Sequence, residues 1–184
     1  TLMPGIEQLL VEEMQDLLHA EGQLVKALPK MAKAAKHPDL KRGFQEHLEQ
    51  TKGHVERLKQ AFELLGAKPK SKPCKGMEGL VEEGSETIED GKDKPDSIAD
   101  LALIAAAQKV EHYEISGYGT LRALAEHLGN EAVVKLLGQT LAEEEMADKL
   151  LTSVSPSLLD ASESEDGDEN ENIKAKRKTA TSHR

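Results

Sequence analysis

At 184 residues the chain has the length of one domain, and its Leu, Ala, Val and Met vocabulary, with two Phe, two Tyr and no Trp, points to helices packed on helices. A net charge of -10 speaks against general nucleic-acid binding, which needs a basic footprint. No apolar run nears the roughly 20 residues that span a bilayer, and a lone Cys74 leaves no internal disulfide, so a cytoplasmic protein with no membrane partner is expected.

Helical periodicity begins at Ile6 and continues to about Lys36, with Leu10, Met14, Leu17, Leu24 and Leu28 recurring at three- and four-residue steps. Pro29 predicts a kink late in this helix. After "KHPDL" a second helix is predicted from Asp39 to Leu65, with Gly66 as its stop. The short connection makes the two an antiparallel hairpin. From Ala67 to Pro95 the chain reads as a linker followed by a shorter, weakly amphipathic helix in "MEGLVEEGSETIEDG". A third long helix is predicted from Asp96 or Ser97 to Leu128. The turn at Gly129–Asn130 leads to a fourth, from Glu131 to about Val154. The expected fold class is all-α: a four-helix bundle over residues 1–155 with a long crossover holding the extra short helix. Residues 156–184, an acidic block followed by a basic one, are expected to form a disordered tail.

Placed at 100° per residue, each long helix turns a metal-ligating residue type or its neighbour toward the core. Glu21 sits between Leu17 and Leu24, and Glu111 shares a face with Ile104, Ala107, Ile115 and Tyr118, with Glu114 at its edge. Glu144 and Asp148 share a stripe with Leu137, Leu141 and Leu151. On the second helix Thr51 is central, flanked by His47 and His54; Thr51 is read as a core threonine bonding back to its own helix. Glu143 reads as solvated charge. Glu21 and His54 are 33 positions apart, and so are Glu111 and Glu144. In two antiparallel hairpins, that common offset puts both pairs in corresponding layers.

Ionised carboxylates in a dry interior cost several kcal/mol each, a large share of the roughly 5–15 kcal/mol that holds a domain together. The inward faces offer no Lys or Arg at these heights, so protonation or divalent cations must offset the charge. Carboxylate and imidazole donors suit iron, manganese or zinc, and a carboxylate-rich set favours the first two. The predicted metal ligands are Glu21, His54, Glu111, Glu114, Glu144 and Asp148. Glu111 or Glu114 is expected to bridge, Glu21 and Glu144 to be terminal, and His54 to supply nitrogen.

"LHAEGQL", "HLEQTKGHVERL", "ALIAAAQKVEHYEISGYGTL" and "TLAEEEMADKL" resemble the YciE/YciF family of bacterial ferritin-like proteins over about Ile6 to Leu151. The resemblance implies a ferritin-like bundle, assembly into a homodimer or larger oligomer, and a role in stress responses. In the wider ferritin-like pattern, Thr51 stands where the second helix carries Glu and Ala147 where the fourth carries His. Asp148 lies beside Ala147 as a substitute. These departures weaken a full dimetal site and imply that one metal is lost or bound weakly. The expected function is a metalloprotein that binds iron or manganese, in one ion or two, and oxidises the metal with oxygen or peroxide, of ferroxidase or peroxidase type. With no cysteine cluster in this chain, its electron donor is external. The alternative is a non-catalytic dimeric stress-response scaffold with a degenerate metal site. Iron storage in a large cage ranks lowest.

Overall fold

The computed structural model describes residues 5–181, with side chains for residues 5–164. Four long helices, α1 (Ile6–Ala34), α2 (Pro38–Leu64), α4 (Asp96–His127) and α5 (Glu131–Thr181), form the bundle, and α3 (Lys75–Asp90) lies in the crossover. α1 packs beside α2 and α4, and α5 packs beside α4 and α2, while α3 lies against α1 and α4. Both hairpins are antiparallel, as their short connections require.

Local chemistry fixes the turns. At the first, the His37 ring accepts from the Asp39 amide and Pro38 occupies the first turn of α2, where its missing N–H costs nothing. The buried Asp100 carboxylate accepts from the Lys36 amide at 2.9 Å and the His37 amide at 2.6 Å. That contact ties the first turn to the start of α4 and so aligns the two hairpins. Gly66 (φ 66°) and Gly129 (φ 69°) take the left-handed conformation just past the ends of α2 and α4. Asn130 then accepts from the Val133 amide to open α5.

The crossover is anchored by polar contacts. The Lys72 amide donates to the Gln15 carbonyl, and the Cys74 amide to the His19 ring. The Tyr113 hydroxyl, 3.0 Å from Cys74 Sγ, donates to Asp16 at 2.9 Å. These contacts seat the start of α3 against α1 and α4.

α1 runs through Pro29 to Ala34, close to the expected end at Lys36. One expectation changes. α5 does not end near Val154: it runs on through Pro156 to Thr181. The reason for the continuation is Leu158, one turn after Val154. Both are buried in the core, which holds the helix past the proline. The tail expected to be disordered over 156–184 therefore has helical backbone through Thr181, and residues 182–184 lie outside the described residues. Among the described residues, no helix is long and apolar enough to cross a membrane.

Candidate metal centre

Midway along the bundle the apolar core gives way to four carboxylates and two imidazoles. Glu21 comes from α1, His47 and His54 from α2, Glu111 and Glu114 from α4, and Glu144 from α5. All six are buried. His54 Nδ1 lies 2.9 Å from Glu144 Oε1 and 3.3 Å from Glu21 Oε1. His47 Nε2 lies 3.3 Å from both Glu144 Oε2 and Glu111 Oε1. Two groups result, Glu21–His54–Glu144 and His47–Glu111–Glu144, each with ligand atoms within 4.8 Å of one another. Glu144 belongs to both.

These approaches lack hydrogen-bond geometry. Eight buried side-chain atoms have no hydrogen-bond partner: Glu21 Oε2, His47 Nε2, His54 Nδ1, Glu111 Oε2 and both oxygens of Glu114 and of Glu144. Among the described residues every such orphan belongs to these six side chains. Buried polar atoms are normally paired, so their concentration in one place calls for something that takes lone pairs.

The outer nitrogen of each imidazole is held by an acceptor. His54 Nε2 donates to Glu143 Oε2 at 2.9 Å, and Arg57 donates to that same oxygen and to Thr140. His47 Nδ1 donates to Gln50 Oε1 at 3.0 Å. A proton on each outer nitrogen leaves the inner nitrogen's lone pair facing the carboxylates. This is the orientation that a second layer of contacts gives to metal-ligating histidines. Tyr118, fully buried, donates its hydroxyl to Glu21.

Without a cation the cluster redistributes protons. Burial raises Glu111 and Glu114 well above the ordinary carboxylate range, and neighbouring carboxylates push the same way. Burial also raises Glu21, although His54 opposes it. Burial would raise Glu144 as well, but its contacts with His47 and His54 prevail and hold it below the ordinary range. For His54, burial favours the neutral ring, yet Glu144 and Glu21 outweigh it and lift the pKa to about 10. His47 moves upward for the same reason, through Glu144.

Five of the six predicted ligands thus converge, and their common depth follows from the matching 33-residue offsets. Asp148 does not join them. Its carboxylate accepts from Gln108 Nε2 at 3.1 Å and lies 3.4 Å from the exposed His112 ring, so it faces the α4–α5 seam. The residue that the prediction left out is His47, which supplies nitrogen to the group containing Glu111. The shared carboxylate is Glu144, where Glu111 or Glu114 was expected. Glu143, expected to be solvated, supports His54 and Arg57. Thr51 does bond back to its own helix, donating to the His47 carbonyl at 2.8 Å.

Comparison with known proteins now places the chain. It belongs to the family described as a domain of unknown function, DUF892. That family matches residues 5–163. The chain is 46% identical over 153 residues to Protein YciF of Escherichia coli strain K12, covering 83% of this chain and 91% of that protein. The crystal structure of the E. coli stress protein YciF aligns with a TM-score of 0.81 at 44% identity, over 86% of this chain and 99% of that one. YcfI of Rhodopseudomonas palustris aligns at 0.77 and 43% identity, over 82% and 94%. A protein of Xanthomonas campestris, at 0.63 and 22% identity over 85% and 94%, shares the fold.

Proposed function

We propose that this DUF892 protein is a ferritin-like metalloprotein that holds iron or manganese between its two hairpins and serves in a stress response. The carrying observation is that, among the described residues, all eight unpaired buried atoms lie in one shell of carboxylates and imidazoles. A donor set of oxygen and nitrogen without sulfur suits these metals. Glu21 and His54 would hold one ion and His47 and Glu111 another, with Glu144 common to both. The stress-response part rests on similarity to a protein described as a stress protein.

Bound there, iron or manganese would supply electron transfer with oxygen or peroxide as oxidant. The chain's own residues prepare the site. Glu143 and Gln50 fix the imidazole tautomers, and Tyr118 orients Glu21 by donating to it. Glu114, buried and raised well above the carboxylate range, holds a proton at a carboxyl oxygen beside the other acids and can release it when positive charge enters. Cys74 is buried and engaged with Tyr113, so electrons come from outside this chain.

The test is metal content after loading with Fe(II) or Mn(II) and removal of excess ion. One or two ions per chain are expected, and Glu144→Gln should lose nearly all of them because both groups share that residue. Absence of bound metal in the unmodified protein overturns the proposal. One observation favours a second reading, a non-catalytic dimeric scaffold: His47 and His54 both lie against Glu144, and His54 also against Glu21, so ion pairs within the cluster can offset its charge without a metal. In that case a metal-free protein would behave as a dimer in light scattering.

A further inference from the structure

Two adjoining cavities open where α3 crosses the bundle. The inner one, about 260 Å³, is walled mostly by apolar side chains of α1, α3 and α4, among them Leu28, Met31, Val81 and Val110, while Gln23, Lys26 and Glu111 add polar groups to its lining. It therefore borders the carboxylate cluster. The outer one, about 500 Å³, shares Lys30, Ser85 and Ile88 with the first. Its lining carries five lysines, Lys30, Lys33, Lys36, Lys92 and Lys94, against a single carboxylate, Asp96. In a chain of net charge -10 this is a local reversal of sign. Of the five, the Lys92 side chain pairs with a carboxylate, Glu89.

We infer that the two cavities form one binding site for a single-chain anionic amphiphile, a free fatty acid, with its carboxylate among the lysines and its chain between α1, α3 and α4. Volumes of this size, mostly apolar with a few charged groups at one end, are typical of small-molecule sites. The sign of the rim selects an anionic head over a cationic one. The apolar inner wall selects a hydrocarbon tail over a sugar or nucleotide. Gly84 supplies the opening: it is buried on α3, and a Cβ there would meet no heavy atom within 4 Å. A methyl group at that position would enter the cavity without displacing its walls, and a longer side chain would take up the space a ligand needs. The site does not require a metal at the neighbouring carboxylates.

The experiment titrates the full-length chain with dodecanoate, both after chelation and after Mn(II) loading, by calorimetry and by displacement of a fluorescent fatty acid. Dodecylamine and dodecyl phosphate serve as head-group controls, and phosphatidylglycerol vesicles as the membrane arm. Saturable one-to-one binding of dodecanoate in both metal states is expected, with dodecylamine inert. Joint Lys30→Glu and Lys33→Glu should weaken it by roughly tenfold or more, with marked salt sensitivity. Gly84→Leu should abolish uptake while leaving helicity and metal content unchanged. A milder Gly84→Ala should bind at reduced strength. Equal affinity for dodecylamine, preference for dodecyl phosphate, binding to vesicles alone, or an unaffected Gly84→Leu protein each overturns the assignment. A dimer that takes up no dodecanoate overturns it as well, by showing that a second copy covers the cleft. Loss of metal binding with dodecanoate uptake intact would refute the proposed metal centre alone.

Discussion

Glu114 is buried on α4 with neither carboxyl oxygen hydrogen-bonded, and burial raises its pKa far above the ordinary carboxylate range. In the metal-free protein it is a neutral acid with no partner, and burying such a group costs about 1–3 kcal/mol. Glu114→Met keeps the volume and removes the polar atoms. It should stabilise the chelator-treated protein by about 1–2 kcal/mol in urea denaturation, and a loss of stability would mean that Glu114 is satisfied in solution. The position of this residue, and those of Glu21, Glu111 and Glu144, could be read from helical phase, because each interrupts an apolar stripe. His47 carried a legible signal too: it stands two turns before His54, hence on nearly the same face. Glu143 carried none. Its neighbours on α5 place it off the core stripe, and only the docking of α2 brings Arg57 and His54 against it. Asp148 shows the opposite failure. Four residues after Glu144, it shares the stripe approximately, but the extra rotation carries it to Gln108.

At the scale of the elements, helix existence, the crossover and both tight turns were legible because Pro38, Gly66, Gly129 and Asn130 carry local instructions. The extent of α5 was not, because the decisive contact is tertiary. Leu158 lies beyond a proline and ahead of a charged stretch, and only its burial shows that the helix continues. The glycines of α4 divide in the same way. A close approach of another helix is expected at both Gly117 and Gly119. A Cβ on Gly117 would stand 2.9 Å from Leu17 Cδ2, so α1 does press on α4 there. A Cβ on Gly119 would meet nothing within 4 Å. The two alanine substitutions should therefore differ in sign. Gly117→Ala should destabilise by about 1–2 kcal/mol through overpacking. Gly119→Ala should stabilise by up to about 1 kcal/mol through helix propensity. Thermal or urea unfolding of the pair measures this, and equal effects would show that the α1–α4 contact is looser than described.

For the whole molecule, the six buried titratable groups make the bundle's stability depend on pH and metal together. In the metal-free protein the His54 pKa rises from 6.5 in the unfolded chain to about 10. Its stabilising contribution is complete below about pH 6.5 and disappears as pH rises through about 10. Glu111 and Glu114 act in the same direction. Their folded pKa values lie above the unfolded 4.5, so keeping them protonated in the fold costs progressively more as pH climbs past that value. Glu144 runs the other way: lowered by the two imidazoles, it contributes above about 4.5 and loses that contribution as pH falls. Metal-free protein should accordingly be most stable in mild acid and weaken steadily from about pH 6 to pH 9. A bound cation reverses the slope, because ligation displaces the same protons and is favoured as they leave. Urea midpoints at pH 5.5 and 8.5, each with chelator and with excess Mn(II), test both signs at once. The expected outcome is a midpoint that falls with pH under chelation and a gap between the two series that widens toward pH 8.5. A chelated midpoint that stays level or rises would show that these side chains are not buried together, and a constant gap would show that the metal binds elsewhere.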